Sequence, residues 1–192
     1  MIRLALIRHG HTAWNRLGQI QGRTDIPLDD GAVADLSRLV LPEDWREAAL
    51  VSSPLRRAVQ TAELIAGHTP VKIAALTEMD WGDWEGQKGV DLRVDPCSGF
   101  RDLEDWGWDY HPPNGESPAQ VRQRLQGWLD TLVQDTVAVC HIGIMRVLLA
   151  MATGWEFQGE PSFRVKRNRL FIIEIDNGEL QHKAVPERLL ER

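Results

Sequence analysis

The chain has 192 residues, 43% hydrophobic and 26% charged, a length and balance that suit one domain with a sizeable core. Its 22 basic and 28 acidic residues leave a net charge of −6, which argues against a nucleic-acid partner, because such proteins present a basic surface. No apolar run reaches the ~18 residues of a membrane span, and the N-terminal apolar run is too short for a signal-peptide core, so a cytoplasmic protein with no membrane partner is expected.

Residues 3–8 read as a strand, an apolar run that ends in Arg8-His9-Gly10. A long loop follows to about residue 31, then a weak helix over 32–40. Ala49-Leu50-Val51-Ser52 reads as a second strand. Ser53-Pro54 supplies a cap residue with proline at the first helical position, and Leu55, Ala58, Val59, Ala62 and Ile65 recur at helical spacing until Gly67. Residues 71–76 form a third strand. Residues 77–116 are irregular and rich in Trp, Gly, Asp and Pro, too long for a plain connection and better read as an inserted lid. Ser117-Pro118 opens a helix carrying Val121, Leu125, Trp128, Leu129 and Leu132. Residues 136–140 form a fourth strand, and a helix runs from Ile144 to Thr153. Strands over 169–176 and 179–185 flank Asn177-Gly178, a strong hairpin signal. Strands separated by helices predict an α/β fold, with a mostly parallel central sheet covered by helices on both faces. The chain is expected to form a single domain over 1–192, without repeats or linkers. Cys97 and Cys140 are far apart and are expected to be reduced thiols.

The chemistry sits at the strand ends. Arg8 and His9 follow the first strand, and Ser53-Pro54-Leu55-Arg56-Arg57 the second. Thr77-Glu78 follows the third, and His141-Ile142-Gly143 the fourth. In a parallel sheet these four ends share one edge, where ligands of open α/β sheets collect. Two histidines, several arginines and one carboxylate then converge. The planar guanidinium fork matches phosphate oxygens. Asn15 adds a neutral donor, and backbone N–H groups after His141, at a helix start, add more. The site should bind a tetrahedral dianion. Imidazole is a competent nucleophile for phosphorus. One histidine attacks, the other histidine and the arginines neutralise the developing charge, and the carboxylate handles the proton. Nearby arginines should keep the nucleophile neutral. No cluster of metal ligands has zinc-like spacing, so the expected reaction runs without metal or cofactor. Arg56 and Arg57 stand about 100° apart on a helix, so both cannot face one phosphate equally.

The pieces Arg8-His9-Gly10-x-Thr12-x-x-Asn15, Gln21-Gly22-x-x-Asp25-x-Pro27-Leu28 and Ser52-Ser53-Pro54-Leu55-x-Arg57-Ala58-x-Gln60-Thr61-Ala62 run in order along the chain. So do Leu76-x-Glu78-x-x-x-Gly82-x-Trp84-Glu85-Gly86, Gly115-Glu116-Ser117 and His141-x-Gly143-x-x-Arg146. Together they resemble the histidine phosphatase superfamily, the phosphoglycerate-mutase-like proteins. The resemblance implies a phosphorylated nucleophile at His9, a pocket core of Arg8, Arg57 and His141, and a proton donor at Glu78. It also implies that Asn15 and the Gln21-Gly22 loop touch phosphate or substrate, and it selects Arg57 over Arg56. Two positions depart from the family pattern. Ile142 stands where a glycine is common, and can still donate its backbone N–H. His11 stands where an acid or Gln is usual, and adds a titratable group beside the pocket.

The phosphoglycerate-mutase members of the family are longer and carry a basic, Pro-rich insertion. Here, besides Glu78, residues 78–110 hold nine acids, including Asp91, Asp102, Glu104, Asp105 and Asp109, against Lys88, Arg93 and Arg101. An acidic lid should repel bisphosphates. Trp106 and Trp108 are candidates for an apolar wall beside an organic leaving group. The expected activity is hydrolysis of a small organic phosphomonoester. The alternatives are a cofactor-dependent phosphoglycerate mutase and a phospho-ligand binding protein without turnover.

Overall fold

Period-two alternation along the first strand explains why the protein has a core on each side of one sheet. Leu4 and Leu6 belong to one buried cluster, Ala5 and Ile7 to the other. The structure is a computed structural model and describes residues 1–183 and 185–192. In chain order the elements are β1 (Ile2–Arg8), α1 (Ala13–Leu17), α2 (Asp30–Leu36), β2 (Leu39–Val40), β3 (Ala49–Ser52), α3 (Arg56–Ala66), β4 (Val71–Lys72) and α4 (Gly89–Val94). There follow α5 (Pro118–Leu129), β5 (Thr136–Cys140), α6 (Ile142–Thr153), β6 (Arg169–Asp176), β7 (Glu179–His182), β8 (Glu187–Arg188) and β9 (Leu190–Glu191).

The main sheet has the order β4-β3-β5-β1-β6-β7, with β8 also paired to β6. β4, β3, β5 and β1 are parallel. β6 runs antiparallel to β1 with Ile7 opposite Leu170, so the start of β6 lies at the same edge as the end of β1. One face is covered by α5 and α6 through Val121, Leu125, Ile144 and Leu148. The other is covered by α2 and α3 through Ala32, Leu36, Ala58, Ala62 and Ile65. The expected α/β sheet with helices on both faces is the fold observed.

Local chemistry explains most boundaries. Ser117 caps α5, with Pro118 at the first helical position and Gln120 closing a capping box. Gly67 ends α3 in the left-handed region at φ 80°. Asn177 and Gly178 both have positive φ, at 50° and 84°, as the expected hairpin requires.

Several boundaries differ from the sequence reading. Ser53-Pro54 does not open α3, which starts at Arg56 after Leu55; Ser53 is instead drawn to His141. The weak helix is shorter and earlier, because Asp29 Oδ1 accepts from Ala32 N at 2.7 Å and caps it there. Leu39 and Val40 pair with β9 instead of extending it. The third strand stops at Lys72, and Ala74–Leu76 form a 3-10 turn. Within the loop after β1, Thr12 and Asn15 make a capping box that starts α1. β7 ends at His182, and residue 184 of the expected 179–185 strand lies outside the described residues. The lid is not detached: Trp81, Trp84 and Trp106 belong to the main core. Both cysteines are free, Cys140 in the core and Cys97 exposed. Among the described residues no helix is long and apolar enough to cross a membrane.

Candidate active site

β1 ends with Arg8, and the ladder continues one bond further, His9 N donating to Cys140 O at 3.0 Å. Gly10 follows because a Cβ there would press on Leu36 and Leu28, and its N–H donates to Thr61 Oγ1 at 3.0 Å. The His9 ring is buried, with Nδ1 2.6 Å from Gly10 O. A carbonyl only accepts, so Nδ1 carries the hydrogen and Nε2 the lone pair. Burial holds His9 well below its ordinary pKa, and Arg57, Arg8 and Arg167 add to the effect. The ring is therefore neutral at pH 7.

His141 caps α6 after β5, its ring 5.1 Å from that of His9. Its Nε2 is 2.7 Å from Ser53 Oγ. Ser53 Oγ also accepts from Leu55 N at 3.3 Å. With the Ser53 hydroxyl donating to Nε2, Nδ1 is the ring donor, and among the described residues it has no partner. Burial, then His9 and Arg57, hold this histidine well below its usual pKa.

Arg57 is buried and Arg56 exposed, which resolves the pair. Arg57 donates to Gly22 O at 2.6 Å and Thr24 O at 2.8 Å, and its Nε is unpartnered. The other side of that loop is held by Glu85, which accepts from Gly22 N and Arg23 N at 3.2 Å and from Thr24 N at 2.6 Å. Gly22 is thus bonded through both backbone groups and is not among the residues lining the cavity. Gln21 does face it: Oε1 accepts from Thr12 Oγ1 at 3.1 Å, and Nε2 is unpartnered.

Glu78 is buried. Its Oε1 accepts from Met79 N at 2.8 Å and its Oε2 from Gly143 N at 3.1 Å. Burial raises its pKa, opposed by those two bonds and by Arg57 and Arg8. A Cβ on Gly143 would collide with the Glu78 carboxylate, which is the physical reason for glycine there. Ile142 opens α6 and lines the cavity.

The cavity is about 370 Å³, with Arg8, His9, Asn15, Gln21, Glu78 and Ile142 in its walls. Arg57 and His141 lie fully buried beneath it. Burial, then Arg167 and Arg146, lower the Arg8 pKa to about 9, against the pull of Glu78. Among the described residues, no three His, Cys, Asp or Glu side chains gather as a metal site. The arrangement offers, around one cavity, a lone pair on His9, the carboxyl group of Glu78 and cationic and amide donors.

Arg167 was not singled out in the sequence. Its Nε donates to His9 O at 3.1 Å and its Nη2 to Asn15 Oδ1 at 3.0 Å. Since Thr12 N also donates to that oxygen, the Asn15 amide is fixed with Nδ2 left for a ligand. Burial, then Arg16, lower the Arg167 pKa to about 10. The available signal was the position just before β6, an antiparallel neighbour of β1. Arg146, noted only as a motif residue, also lines the cavity. His11 does not line it; burial and Arg167 lower its pKa.

The lid divides. Trp106 lines the cavity, edge-on to Trp81 at 5.7 Å, and donates to Arg101 O. Trp108 does not line it: it packs on Phe157 and donates to Glu156. Of the lid acids only Asp102 and Glu104 reach the cavity wall, together with Arg101, and Asp102 pairs with Arg93.

The family model of the histidine phosphatase superfamily, branch 1, matches residues 4–187. An acid phosphatase of Mycobacterium tuberculosis is 37% identical over 163 residues, 80% of this chain and 75% of its own length. An adenosylcobalamin/alpha-ribazole phosphatase of Escherichia coli is 30% identical over 185 residues, 91% of each chain. The crystal structure of TTHB049 from Thermus thermophilus superposes with a TM-score of 0.75 at 32% identity, covering 98% of this chain and 100% of that one. The chain belongs to the histidine phosphatase superfamily, branch 1.

Proposed function

We propose that residues 1–192 act as one domain hydrolysing a small organic phosphomonoester through a phosphohistidine at His9, with neither metal nor cofactor. The observation that carries this reading is a set of four buried side-chain nitrogens that have no partner among the described residues. They are Arg8 Nε, Gln21 Nε2, Arg57 Nε and His141 Nδ1. A buried donor left unsatisfied costs about 1–3 kcal/mol. Four converging from separate segments around one neutral imidazole suit the nonbridging oxygens of a phosphoryl group.

In the first step the His9 Nε2 lone pair attacks phosphorus as the bond to the ester oxygen breaks. Glu78, whose proton affinity burial raises, gives its proton to the departing oxygen. Arg8, Arg57, His141, Gln21 and the Asn15 amide hold the equatorial oxygens, with the Ile142 N–H at the start of α6. In the second step the Glu78 carboxylate takes a proton from water. That water attacks the phosphohistidine and releases inorganic phosphate and neutral His9. Two of the relatives, the acid phosphatase of Mycobacterium tuberculosis and the adenosylcobalamin/alpha-ribazole phosphatase of Escherichia coli, favour hydrolysis. Asp102 and Glu104 at the cavity wall favour a monophosphate over a bisphosphate, and Trp81 and Trp106 give an organic leaving group an apolar side.

The experiment is acid-labile trapping of phosphate from labelled substrate. Label is expected on His9, with turnover by His9→Ala reduced by several orders of magnitude. Label on His141 would reverse the two roles. No acid-labile label during turnover would sink the covalent route.

A further inference from the structure

α6 carries Ile142 and Arg146 four residues apart, on one face. Two cavities meet at that face. The one above His9 is about 370 Å³ and its neighbour about 550 Å³, and both have Leu103, Glu104, Ile142 and Arg146 in their walls. Arg8, His9, Gln21 and Glu78 line only the first. The second is lined by the apolar side chains of Trp155 and Phe163 and by the charged Glu160 and Arg164.

The arginines around the site differ in one respect. Arg57, Arg124 and Arg167 each donate to protein oxygens. Among the described residues no hydrogen bond or ion pair joins the guanidinium of Arg8 or of Arg146 to another group; Arg8 lines only the first cavity, whereas Arg146, partly buried, lines both. Glu78 and Glu104 are the acids that act on its charge, and neither bonds it. A desolvated guanidinium without a partner is a planar donor fork suited to a planar anion. Its place between the two cavities puts that anion beyond the phosphoryl group, on the part of the substrate that leaves.

We infer that Arg146 determines specificity by binding a carboxylate on the leaving group, whose apolar remainder lies in the second cavity against Trp155 and Phe163. The inference rests on the reading of the His9 pocket as the phosphoryl site and adds the class of alcohol released, a carboxylate-bearing one. Glu104, on the same wall, disfavours a second full phosphate there.

Non-hydrolysable pairs test it: alkylphosphonates of three to six carbons, each with and without a terminal carboxylate, binding measured by calorimetry. At one chain length the carboxylate-bearing member should bind the wild-type protein about ten- to a hundredfold more tightly, the size of a charge-assisted hydrogen bond. In Arg146→Gln that ratio should fall to near one. In Arg146→Lys, which keeps the charge but not the fork, it should be intermediate; this variant carries the test if the first does not fold. A ratio near one at every chain length in the wild type overturns the inference. So does a variant that loses both members by the same factor, which would place Arg146 on the phosphoryl group. A ratio that collapses in Arg146→Gln in a protein that never labels at His9 would retire the phosphohistidine mechanism and leave the Arg146 assignment standing.

Discussion

Replacing Glu78 by Gln separates proton donation from positioning. The carboxylate accepts one backbone N–H on each oxygen, from Met79 at 2.8 Å and Gly143 at 3.1 Å. The Gln amide has a single oxygen, so in either orientation its NH₂ meets a backbone donor. That mismatch is worth about 1–3 kcal/mol, roughly a 5- to 150-fold loss on every substrate through a shifted α6 start. Loss of the proton donor adds about 10²–10⁴ for an alkyl ester, the usual size of general-acid catalysis. An aryl ester such as p-nitrophenyl phosphate leaves without much help and should show little beyond the positioning loss. The assay is kcat/KM for one alkyl and one aryl phosphate in wild type and variant, and the decisive number is the ratio of the two losses. Equal losses on both substrates would refute proton donation and leave Glu78 as a brace for Gly143.

The same substitution has a pH signature. Burial raises the Glu78 pKa in the folded protein, so the stability it contributes is fully present below its unfolded pKa and is lost as pH rises through the folded value. Gln has no such loss. The Tm of Glu78→Gln relative to wild type should therefore improve as pH increases. The alkaline limb of kcat/KM for the alkyl ester should disappear with it. An unchanged alkaline limb would assign that limb to another group.

Vanadate should inhibit as a trigonal-bipyramidal mimic, and activity should survive EDTA, because arginines supply the positive charge; loss on chelation with recovery on a divalent ion would refute this. Arg167→Met should lower kcat/KM about ten- to a hundredfold by releasing Asn15. It should also raise the pH at which the His9 ring protonates in an NMR titration, because Arg167 holds that pKa down; an unmoved titration would limit Arg167 to packing. Trp106→Ala should cost about 3–5 kcal/mol of stability and raise KM for bulky organic phosphates more than for small ones. Trp108→Ala should leave the substrate ranking unchanged, and a changed ranking would contradict its packing on Phe157.

The sheet was legible because its strands obey a two-residue period and end in chemistry. Leu4/Leu6 against Ala5/Ile7 specify two buried faces before any contact is known, and a doubly covered sheet follows. Once β1, β3 and β5 are parallel, the residues just past Arg8, Ser52 and Cys140 must share an edge, which is how His9, Arg57 and His141 come to lie together. The antiparallel strand hid the rest. β6 enters the catalytic edge by its beginning, so Arg167 precedes a strand instead of following one, and a rule that looks only past strand ends skips it. Arg146 was hidden differently: on an otherwise apolar helix it matches a family motif, and only the two cavities meeting at its guanidinium distinguish a motif position from a binding one. Trp106 and Trp108 show the limit of composition. They are two residues apart in an irregular segment, and the turn at Gly107, with φ 62°, separates their directions. One indole goes to the cavity wall and the other to Phe157. Composition carries no sign of that turn, since a left-handed glycine reads the same as any other. The acidic lid fails in the same way: charge counted along residues 78–110 treats Asp91 and Asp102 alike, yet only the second reaches the cavity. Field at the phosphoryl site depends on distance and screening and not on the count. Besides the catalytic Glu78, the acids of that stretch in the cavity wall are Asp102 and Glu104, and Arg93 already offsets the first. Electrostatic selection by the lid therefore comes down to Glu104, which lines the same two cavities as Arg146.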